Sequence, residues 1–259
     1  MSEDLHGRAG ELDDMSALDF VSLMHDEDRQ ALDAMRPQLE NIARAVEAVT
    51  GRLRSGGHLH YFGAGTSGLV AAMDAAECPA TFGVAEDVVQ AHTVTDGGED
   101  DRLAGQEAAR EAALSPRDVA VGISASGRTA FVIGALEEAT ARGALTISLT
   151  SNALSRMRRG VDIAIEVETG PEVIAGSTRL KAGTVQKLVL NMLTTAAFTR
   201  LGHTRGGRMV GVRASNEKLR QRAARIVAEL SGLSIAEARQ RLEAAGGDLR
   251  AVLAEVERA

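Results

Sequence analysis

Two glycine- and hydroxyl-rich segments of the sequence have the composition of anion-binding loops. Residues 63–68 read GAGTSG and residues 124–129 read SASGRT, and each segment follows an apolar run and opens a helical pattern. Glycine lets the backbone approach an anion closely, and the first amides of a helix point at it with the positive end of the helix dipole. Adjacent hydroxyls suit the terminal oxygens of a phosphate. We predict phosphate binding by Gly65, Thr66, Ser67, Ser124, Ser126, Arg128 and Thr129.

The spacing of the first loop also satisfies the GxGxxG pattern of dinucleotide-binding folds. Glu86 and Asp87 stand roughly where the ribose-binding acid of such a fold is expected, but they precede the next apolar run instead of ending it. A dinucleotide fold does not require a second hydroxyl-rich loop, so one small phosphorylated ligand is the favoured interpretation. A structural tight turn and Ser/Thr helix capping without a ligand remain the alternatives.

A third polar segment, EVIAGSTRLKAGT at residues 172–184, brings hydroxyls, glycines and two cations to the start of a long helical pattern. We predict substrate contacts from Glu172, Ser177 and Lys181. The alternative is a capped helix whose basic side chains extend along the surface to water.

The elements around these segments alternate between strands and helices, which is typical of a parallel sheet covered on both faces. The sequence predicts an α/β fold, a three-layer α-β-α sandwich around a five-stranded parallel sheet. In such a sheet both glycine loops lie at carboxyl ends of strands, where strand order reverses and ligands bind. The predicted strands are 58–62, 88–94, 119–123, 145–149 and 161–167, and the helices between them are 67–76, 101–114 and 129–142.

Flanking segments complete the predicted organisation. Residues 1–17 are polar and expected to be extended, and the apolar seam from Leu32 to Leu53 predicts one amphipathic helix that packs on the core or pairs two copies. Helices are predicted at 179–201 and 215–230, followed by a helical pair at 234–259 with N-caps at Ser234 and Asp248. The predicted domains are an N-terminal segment and helix (1–55), an α/β phosphate-binding domain that includes the long helix (56–213) and a C-terminal helical region (214–259).

The composition excludes several classes of function. A net charge of −7 and an aromatic content of 2% without Trp argue against nucleic-acid and membrane-surface binding. Cys78 is the only cysteine, and His58 and His60 share a strand face without a third ligand at metal spacing, so we expect no metal and no cofactor. Neither a secretory signal nor an apolar run of about 20 residues is visible, which predicts a cytoplasmic protein.

Several stretches of the sequence resemble the N-acetylmuramic acid 6-phosphate etherase family of the sugar isomerase (SIS) superfamily, which is also similar to the glucokinase regulatory protein. The resemblance extends from about residue 12 to the end, and AAECPAT and GSTRLKAGT are its most specific blocks. The matching stretches are GAGTSG at 63–68, DAAECPATFG at 74–83, GISASGRTAFVIGAL at 122–136, EVIAGSTRLKAGTVQKLVLNML at 172–193 and ASNEKLR at 214–220.

This resemblance implies an SIS fold, a homodimer with sites near its interface, and removal of D-lactate from the C3 ether of an amino-sugar phosphate. The family eliminates lactate across C2–C3 and then adds water, which needs a base and an acid that two carboxyl groups with separated pKa values can supply. The family's acid corresponds to Glu77 and its base to Glu99. The sequence departs from the family at Leu69 (usually Arg), at Gly211 (usually Asp) and in a shorter segment before Glu99. If Glu99 is not the base, Glu86 is the next candidate.

Two other functions remain open, a non-catalytic sugar-phosphate-binding regulator and a sugar-phosphate isomerase. The retained glutamate pair favours the etherase over the regulator, and the AAECPAT and GSTRLKAGT blocks favour it over the isomerase. A regular helix from Thr66 to Glu77 would separate its two ends by about 16 Å. Either that helix breaks before Glu77, or Glu77 serves a sugar held by a neighbouring subunit.

Overall fold

The computed structural model describes residues 4–94, 97–153, 155–211 and 217–256. The chain forms two compact units. The first unit comprises the residues up to Ala75 together with Asp87–Thr195, and the second comprises Ala76–Glu86 together with the chain from Ala196 onwards.

The first unit is built on a five-stranded sheet in which every pairing is parallel, as predicted. Its strand order, β2-β1-β3-β4-β5, reverses between β1 and β3, so the chain leaves these two neighbouring strands in opposite directions. The glycine loops that follow β1 and β3 therefore lie side by side at the carboxyl edge of the sheet. The strands are β1 (Leu59–Ala64), β2 (Val89–Val94), β3 (Val119–Ser124), β4 (Leu145–Thr150) and β5 (Ile163–Glu166).

One face of the sheet is covered by helices α4 (Arg102–Glu111) and α5 (Ala130–Ala141). Phe62 of β1 lies in a buried apolar cluster with Val132 and Leu136 of α5. The two helices approach each other very closely at glycines. A Cβ atom on Gly105 would lie 1.8 Å from the Phe131 carbonyl oxygen. Only hydrogen fits at this position.

The opposite face carries helices α3 (Gly65–Phe82) and α6 (Lys181–Arg200). Tyr61 precedes Phe62 and so points to the other side of the sheet. Its hydroxyl donates to Oδ2 of Asp74 in α3 at 2.8 Å, and the Thr194 hydroxyl of α6 donates to Oδ1 at 3.2 Å. Burial raises the pKa of Asp74 in spite of both hydrogen bonds. Helices on both faces confirm the predicted three-layer sandwich.

The predicted unbroken helix from Leu32 to Leu53 is wrong. The chain instead forms α1 (Ala17–Ala34), a 3₁₀ turn at Arg36–Gln38 and α2 (Leu39–Arg54). Pro37 explains the break, because proline has no backbone N–H and disfavours a helical conformation of the residue before it. Of the two alternatives for this region, packing on the core is observed for α2, which contacts β5.

The N-terminal segment also differs from the expectation of an extended chain. A 3₁₀ helix forms at Ala9–Asp14, and α1 begins after Ser16, whose side chain accepts the backbone N–H of Asp19. Ser16 and Asp19 thus cap a helix that the polar composition of this region did not predict.

The second unit contains a short hairpin, β6 (Thr204–Arg205) and β7 (Arg208–Met209), and helices α7 (Glu217–Ser231), α8 (Ile235–Ala244) and α9 (Leu249–Val256). The three helices share an apolar core. The predicted N-caps are confirmed, since Ser234 forms a capping box and Asp248 accepts the backbone N–H of Ala251. The predicted helix start at Ser215 lies outside the described residues.

No helix in the described part of the chain has the length and apolar character needed to cross a bilayer.

The glycine contacts between α4 and α5 lead to a stability prediction. A Cβ atom on Gly134 of α5 would lie 2.1 Å from the Arg102 carbonyl oxygen, whereas one on Gly51 of α2 meets no atom within 4 Å. We expect Gly134→Ala to lower the free energy of unfolding by about 1–3 kcal/mol through overpacking. The matched Gly51→Ala should raise it by about 0.5–1 kcal/mol, because alanine favours the helix. Urea denaturation measures both, and equal stability of the two variants would contradict the close backbone contact.

Candidate active site

A cavity of about 310 Å³ opens at the carboxyl edge of the sheet, where β1 and β3 end. It brings together both predicted phosphate loops and Glu99, and all of its lining residues belong to the first unit. The lining residues are Ala64, Gly65, Thr66, Ser67, Glu99, Asp100, Ser124, Ala125, Ser126, Arg128, Thr129, Gly176 and Thr178.

The first loop turns directly from β1 into α3. Gly65 begins the helix with φ +52°, a conformation that side chains disfavour. The loop is also closed tightly, because a Cβ atom on Gly68 would lie 2.9 Å from the Gly63 carbonyl oxygen. The first residues of α3, including the buried Ser67, therefore line the cavity with backbone amides that have no partner within the helix.

The second loop gathers three hydroxyl groups at the end of β3. The Ser124 hydroxyl lies 2.7 Å from that of Thr129 and 3.4 Å from that of Ser126. Gly127 makes this turn with φ +65°, and its N–H donates to Ser124 Oγ at 3.1 Å. Hydroxyls held this closely, at the start of α5, are suited to donate together to the oxygens of one anion.

The third polar segment contributes Gly176 and Thr178 to the cavity, but Ser177 does not line it. It reaches the first loop at Gly183, where a Cβ atom would lie 3.3 Å from Thr66 Cγ2. Sequence reasoning selected Ser177 and missed its neighbour Thr178. The two hydroxyls are adjacent in the sequence, and only the turn before α6 decides which one faces the cavity.

Glu172 and Lys181 are engaged in buried contacts at the start of α6. The Glu172 carboxylate accepts the backbone N–H groups of Lys181 and Ala182, both at 3.0 Å, and so caps the helix. Lys181 pairs with Glu27 of α1. Burial by itself raises the pKa of Glu27, but hydrogen bonds from Lys181 and His6 outweigh it and hold that pKa below its usual value. Neither Glu172 nor Lys181 lines the cavity in the described protomer, and their substrate contacts stay a prediction.

Glu99 is held at the cavity by its backbone. Its carbonyl oxygen accepts the N–H of Phe131 at 3.0 Å, which ties it to the first turn of α5. Asp101 then caps α4 by accepting the N–H of Ala104 at 3.0 Å. Between them, Asp100 also lines the cavity, which sequence reasoning missed. The exposed carboxylate of Glu99 is therefore available to a ligand while its backbone is fixed.

Glu77 lies on the exposed surface of α3 and belongs to the second unit. The helix continues without a break from Gly65 to Phe82, with Pro79 inside it. At 1.5 Å per residue, Thr66 and Glu77 are thus about 16 Å apart along the helix axis. Of the two sequence-based alternatives, the break before Glu77 is not observed.

Comparison with known proteins agrees with this architecture. The SIS domain family matches residues 25–151. A putative phosphosugar isomerase involved in capsule formation from Bacteroides fragilis superposes with a TM-score of 0.59, at 20% identity over 74% of this chain and 95% of that chain. A phosphoheptose isomerase from Neisseria gonorrhoeae superposes with a TM-score of 0.54, at 21% identity over 71% of this chain and 100% of that chain. Both share the fold.

Two relatives are similar over nearly the full length of the chain, and both are named N-acetylmuramic acid 6-phosphate etherase. The protein from Symbiobacterium thermophilum is 45% identical over 93% of this chain and 83% of its own length. The protein from Cutibacterium acnes is 46% identical over 94% of this chain and 83% of its own length. With this identity and coverage, and with the SIS architecture around its cavity, the chain belongs to the N-acetylmuramic acid 6-phosphate etherase family.

Proposed function

We propose that this protein is a carbon–oxygen lyase that cleaves the D-lactyl ether of N-acetylmuramic acid 6-phosphate, giving N-acetylglucosamine 6-phosphate and D-lactate. The observation that carries the proposal is the position of Glu99, a carboxylate in the same cavity as two hydroxyl-rich helix starts. An elimination on a sugar phosphate requires groups that bind the phosphate and a group that transfers a proton, both within one cavity. The relatives named for this reaction support the choice of substrate.

The phosphate is bound, in this proposal, between the starts of α3 and α5. Ser67, Ser124, Ser126 and Thr129 donate hydroxyl hydrogen bonds, and the first amides of both helices add the positive ends of their dipoles. Arg128 supplies a cation to a cavity that otherwise carries the acids Glu99 and Asp100. Local donors of this kind offset the repulsion that a net charge of −7 imposes on an anionic substrate.

The reaction proceeds by elimination and then addition. Glu99 takes the proton from C2 of the ring-opened sugar, the C2–C3 double bond forms, and the C3–oxygen bond breaks. Glu77 gives its proton to the departing lactate oxygen. Water then adds its hydroxyl group to C3 and gives its other proton to Glu77, while Glu99 returns its proton to C2. This step gives N-acetylglucosamine 6-phosphate and regenerates both side chains. Both roles are those of carboxyl groups and require no metal.

We further propose that Glu77 acts on a sugar held by a second copy of the chain in a homodimer. The unbroken α3 separates Glu77 from the phosphate-binding start of the same helix by more than the length of a sugar ring. Leu69 and Met73 precede Glu77 at four-residue intervals and so lie along one face of α3. Both are exposed, at 73% and 46%, although they are large apolar side chains. Such a stripe suits a surface that another chain covers.

We also propose that the protein works in the cytoplasm, in the recycling of cell-wall amino sugars. A phosphorylated sugar carries charge that opposes its passage through a bilayer, so the enzyme that consumes it is expected where the sugar is phosphorylated.

Phosphate recognition is testable at Ser126. We expect Ser126→Ala to weaken binding of N-acetylglucosamine 6-phosphate by about 10–100-fold, because a hydrogen bond to a charged group contributes about 1.5–3 kcal/mol. Isothermal titration calorimetry measures the affinity. The control Ser55→Ala removes a hydroxyl that bonds to Gly51 at the end of α2 and should bind like the parent. Equal affinity of the parent for the unphosphorylated sugar would contradict a phosphate site.

The proposed reaction is testable at the two glutamates. The parent protein should release D-lactate from N-acetylmuramic acid 6-phosphate, and Glu77→Gln should reduce release by at least about 10²-fold, because an amide does not supply the proton. Glu99→Gln should suppress exchange of the C2 proton with solvent deuterium, followed by NMR. The control Glu107→Gln changes an exposed acid of α4 and should keep both activities.

Two outcomes would contradict these roles. A parent protein that binds the substrate and releases no lactate would overturn the lyase proposal. Full C2 exchange in Glu99→Gln would assign the base to another residue, and Glu86 is the next one to replace.

The shared site is testable with mixed dimers. We combine Glu77→Gln protein with the double variant Ser126→Ala/Thr129→Ala, each carrying a different affinity tag, and isolate dimers that carry both tags. In a two-fold dimer with shared sites, one of the two sites is then complete, so about half of the parent's activity should return. Inactive mixed dimers would show that each subunit uses its own Glu77.

A further inference from the structure

Two histidines and an aspartate meet at the amino end of the sheet, the edge opposite the cavity. His58 precedes β1, His60 lies within it, and Asp118 immediately precedes β3, the strand that pairs with β1. Nδ1 of His58 lies 3.3 Å from Oδ1 of Asp118. One potential ligand atom from each of the three residues lies within 4.8 Å of those from the other two.

One of these separations is close to the distance between two ligands of a metal ion. Two ligand atoms at about 2.0–2.2 Å from a tetrahedral Zn²⁺ ion lie about 3.3–3.6 Å from each other. The distance between His58 and Asp118 already has this value. The ligand atom of His60 lies within 4.8 Å of the other two, so a displacement of up to about 1.5 Å would bring it to the same separation.

His60 is buried and held in one orientation by a fourth residue. Its side chain is 2% exposed, and its Nδ1 lies 3.0 Å from Nε2 of His92 in the neighbouring strand β2. That hydrogen bond leaves Nε2 of His60 for an ion, in the way that a partner on one ring nitrogen commonly orients a metal-binding histidine.

Asp118 is oriented by hydrogen bonds, and the partly exposed His58 beside it leaves a route from solvent. Its Oδ2 accepts both the N–H and the hydroxyl of Ser115 at 2.7 Å, and its Oδ1 accepts the N–H of His58 at 2.8 Å. The His58 side chain is 39% exposed, which leaves a route for an ion and for water.

We propose that His58, His60 and Asp118 bind one divalent transition-metal ion of the Zn²⁺ class, with water as the remaining ligand and His92 as a positioning residue for His60. Imidazole nitrogens favour Zn²⁺, Ni²⁺ and Co²⁺ over Mg²⁺ and Ca²⁺, which prefer oxygen. The ion would connect β1 to β3 at the edge opposite the cavity. It takes no part in the proposed elimination, so this inference is independent of the proposed function.

The test uses the full chain, treated with a chelator and then titrated with ZnCl₂ in a calorimeter and with CoCl₂ in a spectrophotometer. The parent should bind one Zn²⁺ per chain, show visible absorption bands of four-coordinate Co²⁺, and bind no Mg²⁺. His58→Gln should bind Zn²⁺ at least about tenfold more weakly, and His92→Phe about 10–100-fold more weakly. The control His25→Gln, which changes an exposed histidine of α1, should bind like the parent.

His58 is the decisive position, because it is partly exposed and glutamine is therefore compatible with the fold. Circular dichroism checks that His58→Gln and His92→Phe remain folded. An unchanged Zn²⁺ affinity in folded His58→Gln protein would overturn the proposal. So would a parent that binds no Zn²⁺, or one whose Zn²⁺ binding is lost in His25→Gln.

Discussion

The parallel pairing of β1 with β3 is the constraint that sets which residues meet at the carboxyl edge and at the amino edge of the sheet. The register sets Leu59 opposite Val119 and Gly63 opposite Ile123, so neighbouring strands begin and end together. Because strands in a sheet lie about 4.8 Å apart, the segments that follow them are held within reach of one small ligand. At the carboxyl end the pairing joins two helix starts into a cavity. At the amino end it brings His58 to Asp118.

The helices around the cavity are positioned by close backbone packing and by buried polar contacts. Backbone contact at Gly105 fixes α4 against α5, and the hydrogen bond from Phe131 to the Glu99 carbonyl oxygen connects that packing to an acid of the cavity. At the start of α6, the Glu172 carboxylate satisfies two amide groups while Lys181 is paired with Glu27. Removing one partner of such a buried pair would leave an uncompensated charge, which is strongly destabilising. The helices that carry the proposed substrate-binding side chains are therefore held by close backbone contacts and by buried hydrogen bonds and ion pairs.

Helix α3 carries one of the two proposed catalytic groups, Glu77. The helix continues from Gly65 at the cavity to Phe82, with Glu77 within it and Pro79 two residues later. A single protomer then presents Glu99 in its own cavity and Glu77 on an exposed helix face beside Leu69 and Met73. Our proposed homodimer assigns a function to this exposed apolar stripe and connects assembly to catalysis.

Local sequence patterns were sufficient to predict the sheet, the two glycine- and hydroxyl-rich loops at its carboxyl edge and the caps at Ser234 and Asp248. These features depend on local patterns, because strand and helix periodicity, glycine at a turn and a capping side chain are all set by residues a few positions apart. The break at Pro37 was also visible locally, but the apolar seam across it suggested continuity.

Contacts between distant parts of the chain determine which side chains of the third segment face the cavity and which are buried. Thr178 lines the cavity while Lys181 pairs with Glu27, a residue far away in the sequence. Asp118 likewise joins His58 and His60 from a position just before another strand. Residue spacing within one segment of the sequence does not identify such a partner. The position of each of these side chains depends on packing against elements that are distant in the sequence, so local patterns do not predict it.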